Sequence, residues 1–246
     1  MRRRIDLRPE PASRGLALDE ALLESVRGGG EPIVRFWIGD RAVVIGRSQR
    51  VEDEVDLVAV EQDGVPVVRR ASGGGAVVHY PGNLNVSVVV VGDVVGGVEE
   101  AFRRLGACVA GALCEMGADA CVEGSAVVDP LGKLSGAAQA RRGRAVLYHC
   151  TLLLESDAVP MERYLRALRA GYAPTQVSSQ PRHTTTLSEI LGRRVSAQEA
   201  TAAVGRALSR LLGDLNGGDG LTADEVERAE GLRLGRYEDP AWTWRG

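Results

Sequence analysis

The chain has 246 residues, 44% of them hydrophobic and 26% charged, with a formal net charge of −3. This is the balance of an ordinary globular domain long enough to bury its own core. The slight acidic excess excludes a basic field that grips nucleic acid through its phosphates. The longest apolar run, 86–91, falls far short of the roughly 18 residues of a membrane span. The basic start at 1–4 leads into Ile5-Asp6-Leu7-Arg8-Pro9-Glu10 rather than an apolar stretch, so no export signal is read and a cytoplasmic location is expected. Cys108, Cys114, Cys121 and Cys150 show no C-x-x-C spacing, which argues against a zinc site or disulfide framework. Of the 30 lysines and arginines, a single one is lysine, Lys133. Arginine is a poor substitute where a compact ammonium is needed, so Lys133 is a candidate for chemistry.

In chain order, the apolar spacing predicts a helix over 16–26, with Leu18, Ala21, Leu22 and Val26 near one face and glycines at 28–30 as its stop. Short β-rich runs at 32–38 and 42–45 flank Gly39-Asp40, a hairpin-like turn. A helix is expected over 53–63, its acidic start Glu52-Asp53-Glu54 in solvent. Strands are expected at 65–69, 76–79 and 84–91, then the clearest helix, 98–116. Four strand-like stretches follow at 120–122, 126–128, 133–140 and 146–154. Beyond them, helices are expected at 161–169, 196–212 and 222–229, with a long polar loop at 171–186 and a turn at 216–220. Strands in the middle and helices on the flanks give an α+β domain spanning 1–246, with central mixed or antiparallel sheets flanked by helices.

The stretch Arg69-Arg70-Ala71-Ser72-Gly73-Gly74-Gly75-Ala76-Val77-Val78-His79 is the most informative. Three successive glycines are unfavourable for stability, but they admit positive φ and close approach to a ligand. Their N–H groups can form an anion-binding concavity, and the arginines before them offer forked donors for carboxylate or phosphate. The dinucleotide pattern G-x-G-x-x-G and the G-K-S/T of a phosphate loop are both missing. A plain glycine-rich hairpin turn therefore stays open as a second reading. Asn83 and Asn85 share one face of a strand, either as solvent-facing edge residues or as a polar pocket floor. Gly132-Lys133-Leu134-Ser135-Gly136-Ala137-Ala138-Gln139-Ala140 sets the one lysine among small residues, and His149-Cys150-Thr151-Leu152-Leu153 follows. Together these segments form a consistent site for an activated carboxylic acid.

This ordered set resembles the lipoate–protein ligase family, within the larger group that includes biotin–protein ligases and octanoyltransferases. The family wording R-R-x-[ST]-G-G-G-A-V-x-H-D-x-G-N-L-N, K-x-S-G-x-A-Q and H-x-T-L-L is matched at 69–85, 133–139 and 149–153. Leu18-Asp19-Glu20-Ala21-Leu22-Leu23, Val44-Ile45-Gly46-Arg47-Ser48-Gln49 and Arg236-Tyr237 with Trp242-Thr243-Trp244 also fit. The resemblance implies a biotin/lipoate ligase-like (class II) catalytic domain. It implies condensation of lipoate with ATP, aided by Mg²⁺, to lipoyl-adenylate and pyrophosphate. The lipoyl group would then pass to a lysine of a lipoyl domain, on a 2-oxoacid dehydrogenase acyltransferase subunit or the glycine-cleavage H protein. A separate accessory subunit is implied for activation, because many relatives carry an additional C-terminal domain; no nucleic acid or membrane partner is expected.

By position, the resemblance makes Lys133 the catalytic residue, binding the acyl carbonyl and the phosphate. It makes Gly73, Gly74 and Gly75 the channel lining and Arg70 a phosphate contact, with His79, Asn83 and His149 completing the pocket. Ser72, Val77, Gly136, Ala138 and Cys150 are further expected binding positions. Two departures stand out: Tyr80 replaces the family Asp, and Cys150 a small residue. Strand neighbours point to opposite faces, so only one of His149 and Cys150 should face the pocket. One alternative is an acyltransferase drawing octanoyl or lipoyl groups from a carrier protein through a thioester on Cys121 or Cys150. Another is a non-catalytic protein that binds lipoyl-adenylate. His183 reads as a loop residue, and Trp242 and Trp244 as anchors of the C-terminal segment.

Overall fold

The computed structural model describes residues 2–217 and 220–245. Its strands are β1 (Arg2–Glu10), β2 (Ile33–Gly39), β3 (Ala42–Ile45), β4 (Val67–Arg69), β5 (Val77–His79), β6 (Asn83–Val91), β7 (Cys121–Glu123), β8 (Ala126–Asp129), β9 (Gly132–Arg142), β10 (Ala145–Leu153) and β11 (Leu215–Gly217). Its helices are α1 (Ala12–Arg27), α2 (Val51–Glu54), α3 (Leu57–Gln62), α4 (Gly92–Val95), α5 (Val98–Met116), α6 (Leu187–Leu191), α7 (Ala197–Leu212), α8 (Ala223–Leu232) and α9 (Pro240–Thr243). Among the described residues the strands make an eight-stranded sheet, in the order β11-β1-β2-β6-β10-β9-β8-β7, and a three-stranded sheet, β4-β3-β5. β1 runs parallel to β2 and β11, and β3 parallel to β4, so both sheets are mixed.

Side-chain alternation along the strands decides what covers each face of the large sheet. Val34, Phe36, Val86, Val88, Tyr148 and Cys150 pack against α5 and α7. Ile33, Val89, Ala145 and Leu147 meet Leu22, Leu23 and Val26 of α1 on the other face. α8 lies on α1 through Leu18, Ala21 and Ala229. The small sheet has its own core, in which Val43, Ile45, Val78 and Tyr80 meet Val60 and Tyr164. The α+β class with sheets flanked by helices is thus observed.

Several local expectations are corrected. The turn at Gly39-Asp40 closes no hairpin, because β2 belongs to the large sheet and β3 to the small one. The helix expected over 53–63 is split into α2 and α3, since the Asp56 side chain accepts from the Ala59 N–H at 2.9 Å and starts a new helix. Glu54, read as a solvated residue, is fully buried. The helix expected over 161–169 is two 3₁₀ turns, Met161–Arg163 and Arg166–Leu168, because Tyr164 and Leu165 turn into the small-sheet core. β1 was hidden by its arginines, of which Arg3 is buried against Glu225 at 2.7 Å. The turn expected at 216–220 includes residues 218 and 219, which lie outside the described residues.

Candidate active site

Beyond the N-terminal half of α1, the large sheet leaves a cavity of about 470 Å³ beneath the glycine-rich loop. Register builds its floor. Arg35, Ser87, His149 and Ala138 lie side by side across β2, β6, β10 and β9, and Trp37, Asn85, Thr151 and Gly136 form the next row but one on the same face. Alternation sends Cys150, between His149 and Thr151, into the core against α5.

Asp19 of α1 sits on the first row. Its carboxylate accepts from Arg35 Nη1 at 2.6 Å and from Ser87 Oγ at 2.7 Å, and lies 3.6 Å from His149 Nδ1. Burial opposes the charge on Asp19, but Arg35, His149 and Ser87 together hold its carboxyl below the usual range. On the far side of the imidazole, His149 Nε2 is 2.6 Å from Ser72 Oγ. Trp37 packs on α1 where Gly15 has no side chain: a Cβ there would lie 2.4 Å from the indole. Trp37, His79 and Asn85 line the cavity, and their Nε1, Nδ1 and Nδ2 atoms are buried without a hydrogen-bond partner in the protein. Unpaired buried polar atoms are costly, so their gathering just behind the cavity wall is a local loss of stability.

A bulge brings Lys133 into this wall. Ser135 pairs with Val127, but Lys133 pairs with the very next residue of β8, Val128, leaving Leu134 as an extra residue. Leu134 drops into the core against α5, while the ammonium of Lys133 reaches over Gly136. A Cβ on Gly136 would lie 2.9 Å from Nζ, so the glycine makes the ammonium's seat. Burial, with Arg182 and Arg70 nearby, lowers the pKa of Lys133 from its ordinary value.

The glycine-rich loop is folded around Arg70. Its guanidinium donates to Ser72 Oγ at 3.1 Å and to the carbonyls of Gly73 at 2.6 Å and Gly75 at 2.8 Å. Burial pushes Arg70 down to about 10. Gly74 takes φ +89°, the one member of the trio in the left-handed region. Arg69, expected beside Arg70 as an anion donor, points the other way: it donates to the carbonyls of Gly46, Arg47, Gln49, Trp242, Thr243 and Arg245. Trp242 returns a bond from its indole to the Arg69 carbonyl at 2.8 Å, so it does anchor the C-terminal segment, while Trp244 is exposed.

The structure therefore brings Lys133, Arg70, Gly74, Gly75, Val77, His79, Gly136, Ala138 and His149 to one cavity. Four expected positions differ. Asn83 is buried off the cavity and donates to the Val78 carbonyl at 2.9 Å; Asn85 takes the cavity position and accepts from Thr151 Oγ1 at 2.9 Å. Ser72 stands behind His149, and Gly73 is exposed on the outer side of the loop, its carbonyl held by Arg70. Cys150 borders the cavity, but its thiol is in the core and burial pushes it up to about 11. Cys121 is exposed on the edge strand β7, outside the cavity lining, to which that strand contributes Glu123. Tyr80, in place of the expected Asp, is buried in the small-sheet core and donates to the Glu155 carbonyl at 2.9 Å.

The sequence reading missed Asp19, Arg35, Trp37 and Thr151, and the cavity residues Ser179, Gln180 and Arg182 of the 171–186 loop. The first two had a signal: opposite charges, each inside an apolar run that the fold buries.

A model of the lipoyl protein ligase A/B catalytic domain matches residues 11–209. The chain belongs to that family. Lipoate-protein ligase A subunit 1 of Thermoplasma acidophilum is 31% identical, over 96% of this chain and 93% of its own. The octanoyltransferase LipM of Symbiobacterium thermophilum is 32% identical, over 99% of this chain and 98% of its own. A T. acidophilum protein solved with bound lipoic acid superposes with a TM-score of 0.86, at 30% identity and over 99% of both chains. Lipoate-protein ligase A bound with ATP gives 0.81, covering 99% of both. A chain from the structural analysis of a bi-partite lipoate protein ligase and its E2 lipoyl domain from T. acidophilum also gives 0.81, over 99% of this chain and 95% of that one. Family membership thus embraces both ligases and octanoyltransferases, and the chemistry must be argued from the site.

Proposed function

We propose that this chain is the catalytic part of an ATP-dependent lipoate–protein ligase. In the first half-reaction a carboxylate oxygen of lipoate attacks the α-phosphorus of ATP, and pyrophosphate leaves. In the second, the ε-amine of a lipoyl-domain lysine attacks the acyl carbonyl, AMP leaves, and the amine gives up a proton as the amide forms. One observation carries this reading: the cavity wall offers a seated ammonium, Lys133 over Gly136, and no cavity-facing thiol among the described residues. A fixed cation there opposes the negative charge that develops on the acyl oxygen and phosphate in both steps. Arg70, its donors engaged by the loop's own carbonyls, shapes the glycine loop around the ligand rather than clamping phosphate alone.

Lipoate and ATP as substrates are supported by the two relatives solved with them. No three His, Cys, Asp or Glu side chains among the described residues come together as ligands for an ion, and Asp19 in the cavity is already paired with Arg35. A Mg²⁺ ion would come with the nucleotide, held mainly by triphosphate oxygens and water, and would neutralise phosphate charge. The bi-partite T. acidophilum enzyme supports a lipoyl domain as acceptor and a second polypeptide that assists activation.

The test is the intact mass of an apo lipoyl domain after incubation with one of two donors, pre-formed lipoyl-adenylate or an octanoyl-carrier protein. The ligase reading expects acylation from the adenylate, abolished by Lys133→Ala and kept in Cys121→Ser and Cys150→Ser. Acylation from the carrier protein alone, lost on a cysteine change, would establish the thioester transferase instead. Binding of the adenylate without any transfer would leave only a binding protein.

A further inference from the structure

The loop at 171–186 crosses the glycine-rich loop, and the two together roof the cavity, with Gly75, Ala76, Ser179 and Gln180 all on its wall. The crossing is close. A Cβ on Gly75 would lie 2.8 Å from Ser179 Oγ and 3.0 Å from Ser179 Cα. A third turn lies beneath, where a Cβ on Gly46 would lie 2.0 Å from the Gly74 carbonyl oxygen. One hydroxyl ties the three together. Ser179 Oγ accepts from the Ala76 N–H of the glycine loop at 2.8 Å and from Gln49 Nε2 at 3.1 Å, while Gln49 Oε1 accepts from the Gly46 N–H at 2.9 Å.

A serine hydroxyl has two acceptor sites and one proton. Both acceptor sites of Ser179 are used, so its O–H must donate, and it donates to Glu54 Oε2 at 2.6 Å. Glu54 is fully buried beneath the crossing. Its other oxygen accepts from the Tyr172 hydroxyl, which in turn accepts from the Ser179 N–H at 2.8 Å. Burial and Glu54 push the Tyr172 phenol up to about 12, so it remains a donor. The preceding residue of α2, Asp53, holds the same loop further along, accepting from the Thr175 N–H at 2.8 Å and from its hydroxyl at 2.7 Å.

We propose that Glu54 is a positioning residue for acyl transfer: by accepting the Ser179 O–H hydrogen bond it orients that hydroxyl toward Ala76 and sets the two cavity loops as one wall. α2 is then a clasp, remote from the reacting atoms, that fixes the roof under which the adenylate is held. This rests on the ligase reading of the cavity, whereas the clasp itself can be measured without a substrate.

The experiment compares the wild-type chain with Glu54→Leu, Glu54→Gln and Tyr172→Phe. Amide hydrogen exchange is followed on the free protein, and transfer from lipoyl-adenylate to an apo lipoyl domain is measured alongside. Glu54→Leu should speed exchange over 73–79 and 172–180 by about tenfold, leave 98–116 unchanged, and raise KM for the adenylate by a similar factor with kcat far less affected. Glu54→Gln keeps one acceptor and should lie between. Tyr172→Phe removes one hydroxyl from a half-buried ring, so it reports the clasp even if Glu54→Leu does not fold; its exchange should rise over 172–180. Unchanged exchange in both loops overturns the proposal. So does faster exchange throughout, 98–116 included, with KM unchanged, since that marks a purely structural role. A wild-type chain that transfers nothing, while its loops respond as expected, retains the clasp and sinks the ligase reading.

Discussion

His79 shows at the residue scale how far a side chain can be taken from its behaviour in water. Its ring is sealed beneath the glycine loop, 5.5 Å from the Trp37 ring in an edge arrangement, with Nε2 3.3 Å from Thr151 Oγ1. Burial, and the positive charge of Arg70 nearby, push it down to about 3. It is therefore neutral in the folded chain throughout the range in which an unfolded histidine, with a pKa of about 6.5, takes up a proton. The unfolded state binds more protons in that window, so stability falls on acidification from about pH 6.5 towards 3, by up to about 1.4 kcal/mol per pH unit from this group. Denaturant unfolding of His79→Gln should show a shallower loss over that window than the wild type. Parallel curves would mean that the ring is not held neutral. The sequence marked His79 through its place after the glycines, but not the partners that neutralise or charge the site. Asp19 and Arg35 are far apart in the chain, and only the packing of α1 on β2 makes them a pair.

At the scale of elements, the bulge in β9 shows why a motif can be readable while its geometry is not. Lys133 and Gly136 are three residues apart, a spacing that in a regular strand would put them on opposite faces. The extra residue, Leu134, reverses the parity and lets the ammonium occupy the space that Gly136 leaves. Gly136→Ala should therefore displace Nζ while leaving the β9 pairing intact. We expect transfer from lipoyl-adenylate to drop by about 10–100-fold, as for a misplaced catalytic group, with little change in thermal stability. Full activity in this variant would show that the ammonium acts from elsewhere. Long elements were legible, because α5 and α7 repeat their apolar residues over many turns. Short ones were decided by single polar contacts. α6 was missed although Thr186 and Glu189 cap it reciprocally in the T-x-x-E spacing. The split between α2 and α3 turns on the Asp56 cap.

At the scale of the whole molecule, Arg69 joins parts of the chain that no pattern connects. Its guanidinium serves the 46–49 turn on one side and the 242–245 segment on the other, and burial, with Arg245 nearby, pushes it down to about 10. Arg69→Met would leave several of those carbonyls buried without a donor, at a cost of about 3 kcal/mol or more. Chemical denaturation should register that loss, and amide exchange should rise first over 236–245. A stability within about 0.5 kcal/mol of wild type would show that water replaces the arginine at these carbonyls. The two adjacent arginines were alike in sequence and read alike; strand alternation sends one to the cavity loop and the other to the chain's far segment. The fold class was accessible from the order of elements, whereas the assignment of β2 and β3 to different sheets depended on long-range pairing.

The seat of Lys133 also bears on self-modification. Acyl-adenylates react with any free amine they meet, and this chain has a single lysine, half-buried and pressed over a glycine. An enzyme of this composition presents almost no amine of its own to the reactive species it would carry. The same scarcity makes it a one-probe molecule: an amine-directed label reports on Lys133 and the N-terminus alone, and its protection by a bound ligand can be read without assignment.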